Sequence, residues 1–247
     1  MRQYHNGRLR NTPQAPIWGK PEKSRRRIVS SVCQRLLASF GKPRLGNPRD
    51  PVDDLVFLVL SNRTQFETAK LVFNSLKGTG TWDAVVQLSV RTLERKLQIA
   101  GLANKRSQQI KRALRRISTD FGSCKLDELR NWSEAAAQNY LADLPGVSNK
   151  VAKCVMMYTL GFKVLPVDVH AFRVASRLGW TSRCRADQCH DDLEALVPPE
   201  FRYAFHVGCI CLGRAVCTPR RPQCPACPIR RFCVYFMQRE HDFSRQT

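Results

Sequence analysis

The sequence lacks several features that would place it in common classes of protein. Among its 247 residues no run of 18 or more apolar residues occurs, so no segment is long enough for a membrane-spanning helix. The opening residues, MRQYHNGRLR, contain no apolar core, which excludes a secretory signal there. Alternation of apolar and polar residues with a period of two is almost absent, so strands are not predicted. With 43% hydrophobic residues, the chain is expected to fold as a nearly all-helical protein.

Acidic residues are scarce. The chain has 20 Asp plus Glu against 41 Lys plus Arg, which gives a net charge of +21. This excess favours a polyanionic partner over a merely soluble basic surface, because each phosphate that is neutralised releases a condensed counterion. Glu22 is the single acid in residues 1–27, a segment that we interpret as a flexible basic arm rather than an organelle transit peptide.

The 11 cysteines form an odd set in a chain without an export signal. A disulfide framework is therefore not expected, and a reducing compartment is. We expect a cytoplasmic protein associated with the nucleoid, with no membrane partner.

Helical spacing of apolar residues recurs along most of the chain. It predicts a helix over residues 28–40, a strongly apolar buried helix after Pro51, and an amphipathic helix over residues 104–121 whose polar positions include Arg106. The polar interruption at residues 61–65 follows the apolar helix directly. Polar residues at that place are expected to cap a helix or to face a cleft.

Four cysteines near the end of the chain are closely spaced, at Cys217, Cys224, Cys227 and Cys233. Thiolates packed so closely in a reducing compartment need a metal to offset their mutual repulsion. One close pair with a single cysteine on either side fits a 4Fe–4S cluster better than the two close pairs of a structural zinc site. Zinc and unligated thiols remain the alternatives. Between the first two cysteines a loop with two prolines presents Arg220 and Arg221, which we predict to contact phosphate.

A Pro-Gly turn separates two predicted helices over residues 133–143 and 148–160. The turn and its flanks are Leu144, Pro145, Gly146, Val147 and Ser148. The glycine permits a tight turn and the close approach of a phosphate, and unpaired amides at the start of the next helix attract an anion. Contacts through backbone amides grip DNA without reading its sequence.

Three motifs occur together in one order: LPGVSNKVA, PVDVHAFRV and the cysteine spacing. Together they resemble the endonuclease III group of helix-hairpin-helix (HhH-GPD) DNA glycosylases, over residues 51–233. The resemblance implies an all-α fold with two domains and DNA bound across the cleft between them. It implies a six-helix domain at 52–162 that carries the hairpin at about 133–160. The iron–sulfur cluster domain would comprise residues 28–51 and 163–247, with the cluster loop at 217–233.

The resemblance also implies that Lys150 is the nucleophile and Asp168 the essential carboxylate. A lysine amine that attacks C1′ of the sugar displaces the base and leaves an imine, which allows β-elimination at the 3′ phosphate. Asp168 could accept a proton from Lys150, and it is also placed to cap the helix that follows it. The expected activity is a glycosylase and abasic-site lyase on damaged, oxidised pyrimidines in duplex DNA. We expect a monomer with a 4Fe–4S cofactor.

The sequence departs from the family pattern at two places. Arg63 stands where a glutamine is typical, and Ser148 replaces the usual hairpin glycine. Arg63 or Gln65 is a candidate to fill the gap that a flipped nucleotide leaves, and His170 is a further candidate for the lesion pocket. The alternatives are a mismatch glycosylase for thymine or adenine, and a non-catalytic DNA-binding iron–sulfur protein. The presence of both Lys150 and Asp168 argues against the latter.

Overall fold

A computed structural model describes residues 17–62 and 64–244, with side chains up to residue 239. The described residues are helical and contain no strand, which confirms the all-α prediction. The α-helices in these ranges are α1 (Glu22–Phe40), α2 (Pro51–Ser61), α3 (Phe66–Lys77), α4 (Trp82–Gln87), α5 (Val90–Leu97), α6 (Ala103–Phe121), α7 (Glu134–Asp143), α8 (Asn149–Val155), α9 (Val169–Arg177), α10 (His190–Leu196), α11 (Arg202–Ala215) and α12 (Val234–Ser244).

The chain divides into two compact units. Within the described residues, the first unit comprises residues 17–43 together with residues 167–244, and the second lies in the segment Arg44–Pro166. The second unit extends beyond the predicted six-helix domain on both sides. Residues 22–27, which the sequence predicts to belong to the flexible arm, form the first turns of α1 instead.

The second unit is built around α2, which packs against α3, α6 and α8. Asp50 caps α2 because its carboxylate accepts hydrogen bonds from the amides of Val52 and Asp53, both at 2.9 Å. Almost every residue from Pro51 to Leu60 is buried, as the continuous apolar run requires. Helix α2 therefore lies at the centre of the unit, and α8, which follows the hairpin, packs against it.

The first unit joins the two ends of the chain. Helix α11 packs against α1 and α9, and the ring of Trp180 stacks on that of Phe205 at 5.3 Å between centroids. Gly208 lets α11 approach α1 closely, since a Cβ at that position would lie 2.9 Å from Cβ of Leu36. The start of α9 and the cysteine loop therefore belong to one packed body.

No helix within the described part of the chain is both long and apolar enough to cross a membrane.

Candidate nucleic-acid interface and active site

The predicted hairpin forms within the second unit, between α7 and α8. The amide of Val147 donates to the carbonyl of Leu144 at 3.0 Å, which closes a four-residue turn. Pro145 occupies the second position of the turn and Gly146, with φ of +84°, the third. Gly146 also lies against Gln109 of α6, because an added Cβ would be 2.8 Å from the Cβ of that glutamine. Only glycine meets both demands at this position.

Ser148 preserves the hairpin despite its departure from the family pattern. Its hydroxyl accepts a hydrogen bond from the amide of Val151 at 3.4 Å, so Ser148 is the N-cap of α8. Leu144 and Val147 are buried, whereas Gly146 and Ser148 are exposed. The turn is therefore anchored by its apolar residues and presents its small residues to solvent.

Lys150 lies in the first turn of α8 and is half-buried. On α2, the neighbouring helix, Asp54 is fully buried and lies within electrostatic reach of Lys150. Burial raises the pKa of Asp54 to about 7, against a hydrogen bond from Asn47 and the charges of Lys150 and Arg44, which lower it. Sequence reasoning missed Asp54, because an acid inside so apolar a run looks like an ordinary first-turn residue of a helix.

Asp168 belongs to the first unit, where it is the N-cap of α9. Its Oδ1 accepts hydrogen bonds from the amides of His170 at 3.0 Å and Ala171 at 2.8 Å. The predicted capping role is confirmed, and it fixes the orientation of the carboxylate. Lys150 and Asp168 lie in different units, so the catalytic partnership of these two residues stays a prediction.

His170 is half-buried beside Asp168 and packs into the first unit. Its Nδ1 lies 3.1 Å from Nη2 of Arg173. A Cβ added to Gly213 would lie 2.5 Å from Nδ1 of His170. Burial lowers the pKa of His170, and the charges of Arg173 and Arg214 act in the same direction, whereas Asp168 raises it. A role of His170 in a lesion pocket stays a prediction.

The polar interruption after α2 is held by a buried arginine. Arg106, only 4% exposed, donates to Oγ1 of Thr64 at 2.8 Å and to the carbonyl of Ala100 at 2.6 Å. It also donates to the carbonyl of Asn62. The placement of Arg106 on the solvent-facing side of its helix was therefore wrong. Gln65 is exposed at the start of α3, and Arg63 lies outside the described residues.

Two exposed apolar residues lie beside this interruption, and sequence reasoning missed both. Ile99 is 67% exposed and Leu102 is 62% exposed. Leu102 has φ of +52°, in the left-handed region that costs a leucine roughly 1–2 kcal/mol. Strain of this kind, in an exposed large apolar residue next to a clamped loop, points to a functional position. The sequence gives no signal for this position, because a strained backbone conformation cannot be recognised from residue types or their spacing.

The four cysteines of the C-terminal motif line one pocket in the first unit, together with Arg177 and Tyr235. Burial raises the pKa of Cys233 to about 11, and the charges of the other three cysteines act in the same direction. Burial also raises the pKa of Cys227. Among the described residues, no three His, Cys, Asp or Glu side chains converge as ligands of a single metal ion.

Arg177, at the end of α9, ties that helix to the cysteine loop. Its guanidinium donates to Sγ of Cys217 and to the carbonyls of Thr218 and Pro219, each at 3.0 Å. It also lies 4.6 Å from the ring centroid of Tyr235. The next two residues of the loop are Arg220 and Arg221, and both are exposed. A single arginine thus fixes the base of the loop that presents two others.

The comparisons with known proteins identify the family. The model for the HhH-GPD superfamily base excision DNA repair protein matches residues 56–199, more than half of the chain and a range that includes Lys150 and Asp168. The chain therefore belongs to the HhH-GPD superfamily of base excision DNA repair proteins.

Three curated relatives illustrate its range. A putative DNA glycosylase of Arabidopsis thaliana is 31% identical over 161 residues, which are 64% of this chain and 54% of that protein. DNA glycosylase/AP lyase ROS1, also of A. thaliana, is 27% identical over 180 residues, 66% of this chain and 13% of the relative. Endonuclease III of Thermotoga maritima is 26% identical over 215 residues, 86% of this chain and 95% of the relative. The chain thus spans about half of the first relative and a small part of the second.

Among solved structures, a non-covalent endonuclease III–DNA complex has a TM-score of 0.73 with this chain. The match covers 87% of this chain and 98% of that one at 23% identity, which shows the fold. The resemblance to the endonuclease III group is confirmed.

Proposed function

We propose that this protein is a base excision repair DNA glycosylase with abasic-site lyase activity, which acts on damaged pyrimidines in duplex DNA. The observation that carries the proposal is the Pro-Gly hairpin that places Lys150 in the first turn of α8, within the range matched by the family. ROS1, a relative named as a glycosylase and AP lyase, supports the lyase activity. The endonuclease III relative supports the repair context.

The chemistry follows from a lysine held beside a DNA backbone. The neutral amine of Lys150 forms a bond to C1′ as the base departs with the electron pair of the glycosidic bond. The C1′–O4′ bond then breaks as a proton moves from the nitrogen to O4′, which opens the sugar ring and leaves an imine. The imine acidifies the C2′ proton, and loss of that proton expels the 3′ phosphate by β-elimination. Asp168, fixed by its hydrogen bonds at the start of α9, is the proposed proton acceptor and stabiliser of positive charge on the sugar.

Access to C1′ requires the damaged nucleotide to leave the helical stack, and the gap must then be filled. Exposed Ile99 and Leu102 are apolar and lie beside the loop that contains Gln65. Apolar side chains inserted at a base step are an established means of stabilising unstacked DNA. We assign the wedge to Leu102, with the exposed Gln65 as the candidate to contact the unpaired partner base.

The proposed cofactor is a 4Fe–4S cluster held by Cys217, Cys224, Cys227 and Cys233. The fit rests on the pocket that the four cysteines line and on the burial of Cys227 and Cys233, which disfavours their thiolates unless a metal is bound. A cluster takes one thiolate per iron, so its ligands need not converge on one point as the ligands of a zinc ion must. The cluster would hold the loop that presents Arg220 and Arg221 to phosphate.

Borohydride trapping tests the enzymatic proposal. Purified protein is incubated with duplexes that carry an abasic site or an oxidised pyrimidine, and the covalent adduct is resolved by electrophoresis. Wild type should form an adduct with both duplexes, and Lys150→Ala should form none. Lys150→Arg keeps the positive charge without an amine that can form an imine, so it should bind DNA and still give no adduct.

Lys105→Ala is the matched control, because Lys105 is an exposed lysine of α6 in the same unit. It should trap as wild type does. An adduct that persists in Lys150→Ala would contradict the assignment of the nucleophile. Base release without any adduct in wild type would indicate a glycosylase without lyase activity. Binding without base release or adduct would indicate a non-catalytic DNA-binding protein.

A further inference from the structure

One buried arginine joins the loop between α2 and α3 to the turn at residues 99–102, which precedes α6 and carries the proposed wedge. The arginine is Arg106 of α6, and it is only 4% exposed. In the loop it donates to Oγ1 of Thr64 at 2.8 Å and to the carbonyl of Asn62. In the turn it donates to the carbonyl of Ala100 at 2.6 Å. A single side chain therefore holds both segments.

Thr64 adds a second connection between the loop and the turn. Its hydroxyl accepts the hydrogen bond from Arg106 and donates one to the carbonyl of Ala100 at 3.1 Å. Arg106, Thr64 and Ala100 thus form a closed set of three mutual hydrogen bonds. Such a set fixes the distance between the two segments more firmly than one bond would, because no bond in it can lengthen without disturbing the other two.

Arg106 also holds the backbone on both sides of Leu102. Its guanidinium donates to the carbonyl of Gly101 at 3.1 Å, and its backbone amide donates to the carbonyl of Leu102 at 2.9 Å. Between these two bonds Leu102 keeps its φ of +52° and exposes 62% of its surface. A strained conformation of this kind persists only where the surrounding structure imposes it. The hydrogen bonds of Arg106 supply that constraint.

We infer that Arg106 and Thr64 are positioning residues, which hold Leu102 in its exposed conformation before DNA binds. The inference rests on the proposed function, in which Leu102 fills the gap that a displaced nucleotide leaves. A side chain that is ordered in advance loses less conformational entropy on binding than one that DNA must order. The benefit belongs to lesions in a stacked duplex, since the cost of unstacking is highest there.

The test compares base release from one oxidised pyrimidine in two settings under single-turnover conditions. The lesion lies either in a fully paired duplex or in a bubble of mispaired bases, where it unstacks more easily. Thr64→Val replaces the hydroxyl by a methyl group and removes two of the three mutual hydrogen bonds. It should lower the rate on the paired duplex about tenfold and the rate on the bubble less than about twofold. Thr64→Ser keeps the hydroxyl and should restore both rates.

Two further variants make the result specific. Arg106→Lys keeps the charge but offers a single nitrogen, which cannot bond to the loop and the turn as the guanidinium does, so it should show the same selective loss. Thr79→Val is the matched control, because the hydroxyl of Thr79 donates to the carbonyl of Ser75 at 3.5 Å, within one stretch of the same unit. Its rates on both substrates should equal those of wild type. Thr64→Val, the milder change, decides the result if Arg106→Lys does not fold.

A double variant tests whether the hydrogen bonds act through the proposed wedge. Leu102→Ala alone should lower the rate on the paired duplex selectively. Adding Thr64→Val to Leu102→Ala should lower that rate little further, because residues that act through one another are not additive. Reductions that multiply in the double variant would show that Thr64 acts independently of Leu102, and would overturn the inference.

The remaining outcomes separate this inference from the function on which it rests. An equal loss on both substrates in Thr64→Val, or no loss on either, would overturn the positioning role and leave the glycosylase proposal intact. Release by wild type from the paired duplex alone would also overturn it, because easier unstacking would then bring no advantage. Leu102→Ala without a selective loss would refute the wedge, and the inference with it. No base release by wild type from either substrate would refute the proposed function itself.

Discussion

Gly146 shows how much of the hairpin depends on one residue without a side chain. Its φ of +84° lies in the left-handed region, and the Cβ and Cδ atoms of Gln109 would lie 2.8 Å from a Cβ at this position. Gly161 has a similar φ of +83°, but no atom lies within 4 Å of the place where its Cβ would be. Both glycines therefore need a positive φ, but only at Gly146 would a side chain also clash with a neighbouring residue.

Replacing each of these glycines by alanine should separate the cost of the positive φ from the cost of the clash with Gln109. Gly161→Ala should destabilise the protein by roughly 1–2 kcal/mol, the cost of the left-handed conformation for an L-residue. Gly146→Ala should cost more and should also weaken DNA binding at least about tenfold, because the turn must shift to relieve the clash. Chemical denaturation and fluorescence anisotropy measure the two effects. Equal stability and DNA affinity in the two variants would contradict a special packing role for Gly146.

Asp54 makes the stability of the fold depend on pH, with a sign opposite to that of an ion-paired acid. As pH rises above about 4, the unfolded chain loses the proton of Asp54 while the folded chain keeps it up to about pH 7. The folded state is therefore disfavoured progressively between these values. The group lowers stability by up to about 4 kcal/mol once both states are ionised.

Asp54→Asn removes this titration, so the variant should gain stability relative to wild type as pH rises from about 4 to about 7. Denaturation midpoints measured across this range under anaerobic conditions give the difference. Asp53→Asn serves as the control, since its carboxylate is already paired with Lys77. A pH-independent difference between wild type and Asp54→Asn would show that Asp54 is ionised in the folded state throughout.

At the scale of the helices, α9 connects Asp168, the proposed catalytic carboxylate, at its start to the cysteine loop at its end. Asp168 caps its first turn and Arg177 binds the loop after its last. Substitution of Asp168 by alanine therefore removes two things together, a helix cap and a charge. Asparagine keeps the cap, because its side-chain oxygen can still accept from the amides of His170 and Ala171.

Asp168→Asn should thus retain the thermal stability of wild type and lose most of the base-excision activity. Asp168→Ala should lose the activity and, in addition, about 1 kcal/mol of stability. Thermal denaturation and single-turnover base release distinguish these effects. If Asp168→Asn excised bases at the wild-type rate, capping would be the whole role of Asp168.

The helices and the hairpin could be predicted from the sequence because their signals are local. The helical periodicity, the Pro-Gly turn and the Ser148 cap are each encoded within a few neighbouring residues. The environment of Asp54 and the role of Arg106 did not follow, because each depends on which distant elements pack together. Arg106 reaches Asn62 and Thr64, more than 40 positions away in the chain, and nothing in its local pattern indicates that contact.

At the scale of the whole molecule, the net charge of +21 should dominate the proposed binding of duplex DNA. The affinity for undamaged duplex should fall steeply with salt, because each neutralised phosphate contributes about −0.9 to the slope of log K against log salt concentration. Binding of a damaged duplex should show the same slope at a higher affinity, since the lesion adds contacts that release no counterions.

The exposed loop that carries Arg220 and Arg221 should account for a defined part of that slope. The double variant Arg220→Ala/Arg221→Ala should make the slope shallower by up to about 1.8 if each arginine contacts one phosphate. Arg183→Ala/Arg185→Ala is the matched control, because it removes the same charge from arginines of the same unit that already pair with Asp192 at 3.0 Å and Asp187 at 2.6 Å. Its slope should stay close to that of wild type. An equal change in both double variants would show that net charge alone governs binding, and that the cysteine loop makes no phosphate contact of its own.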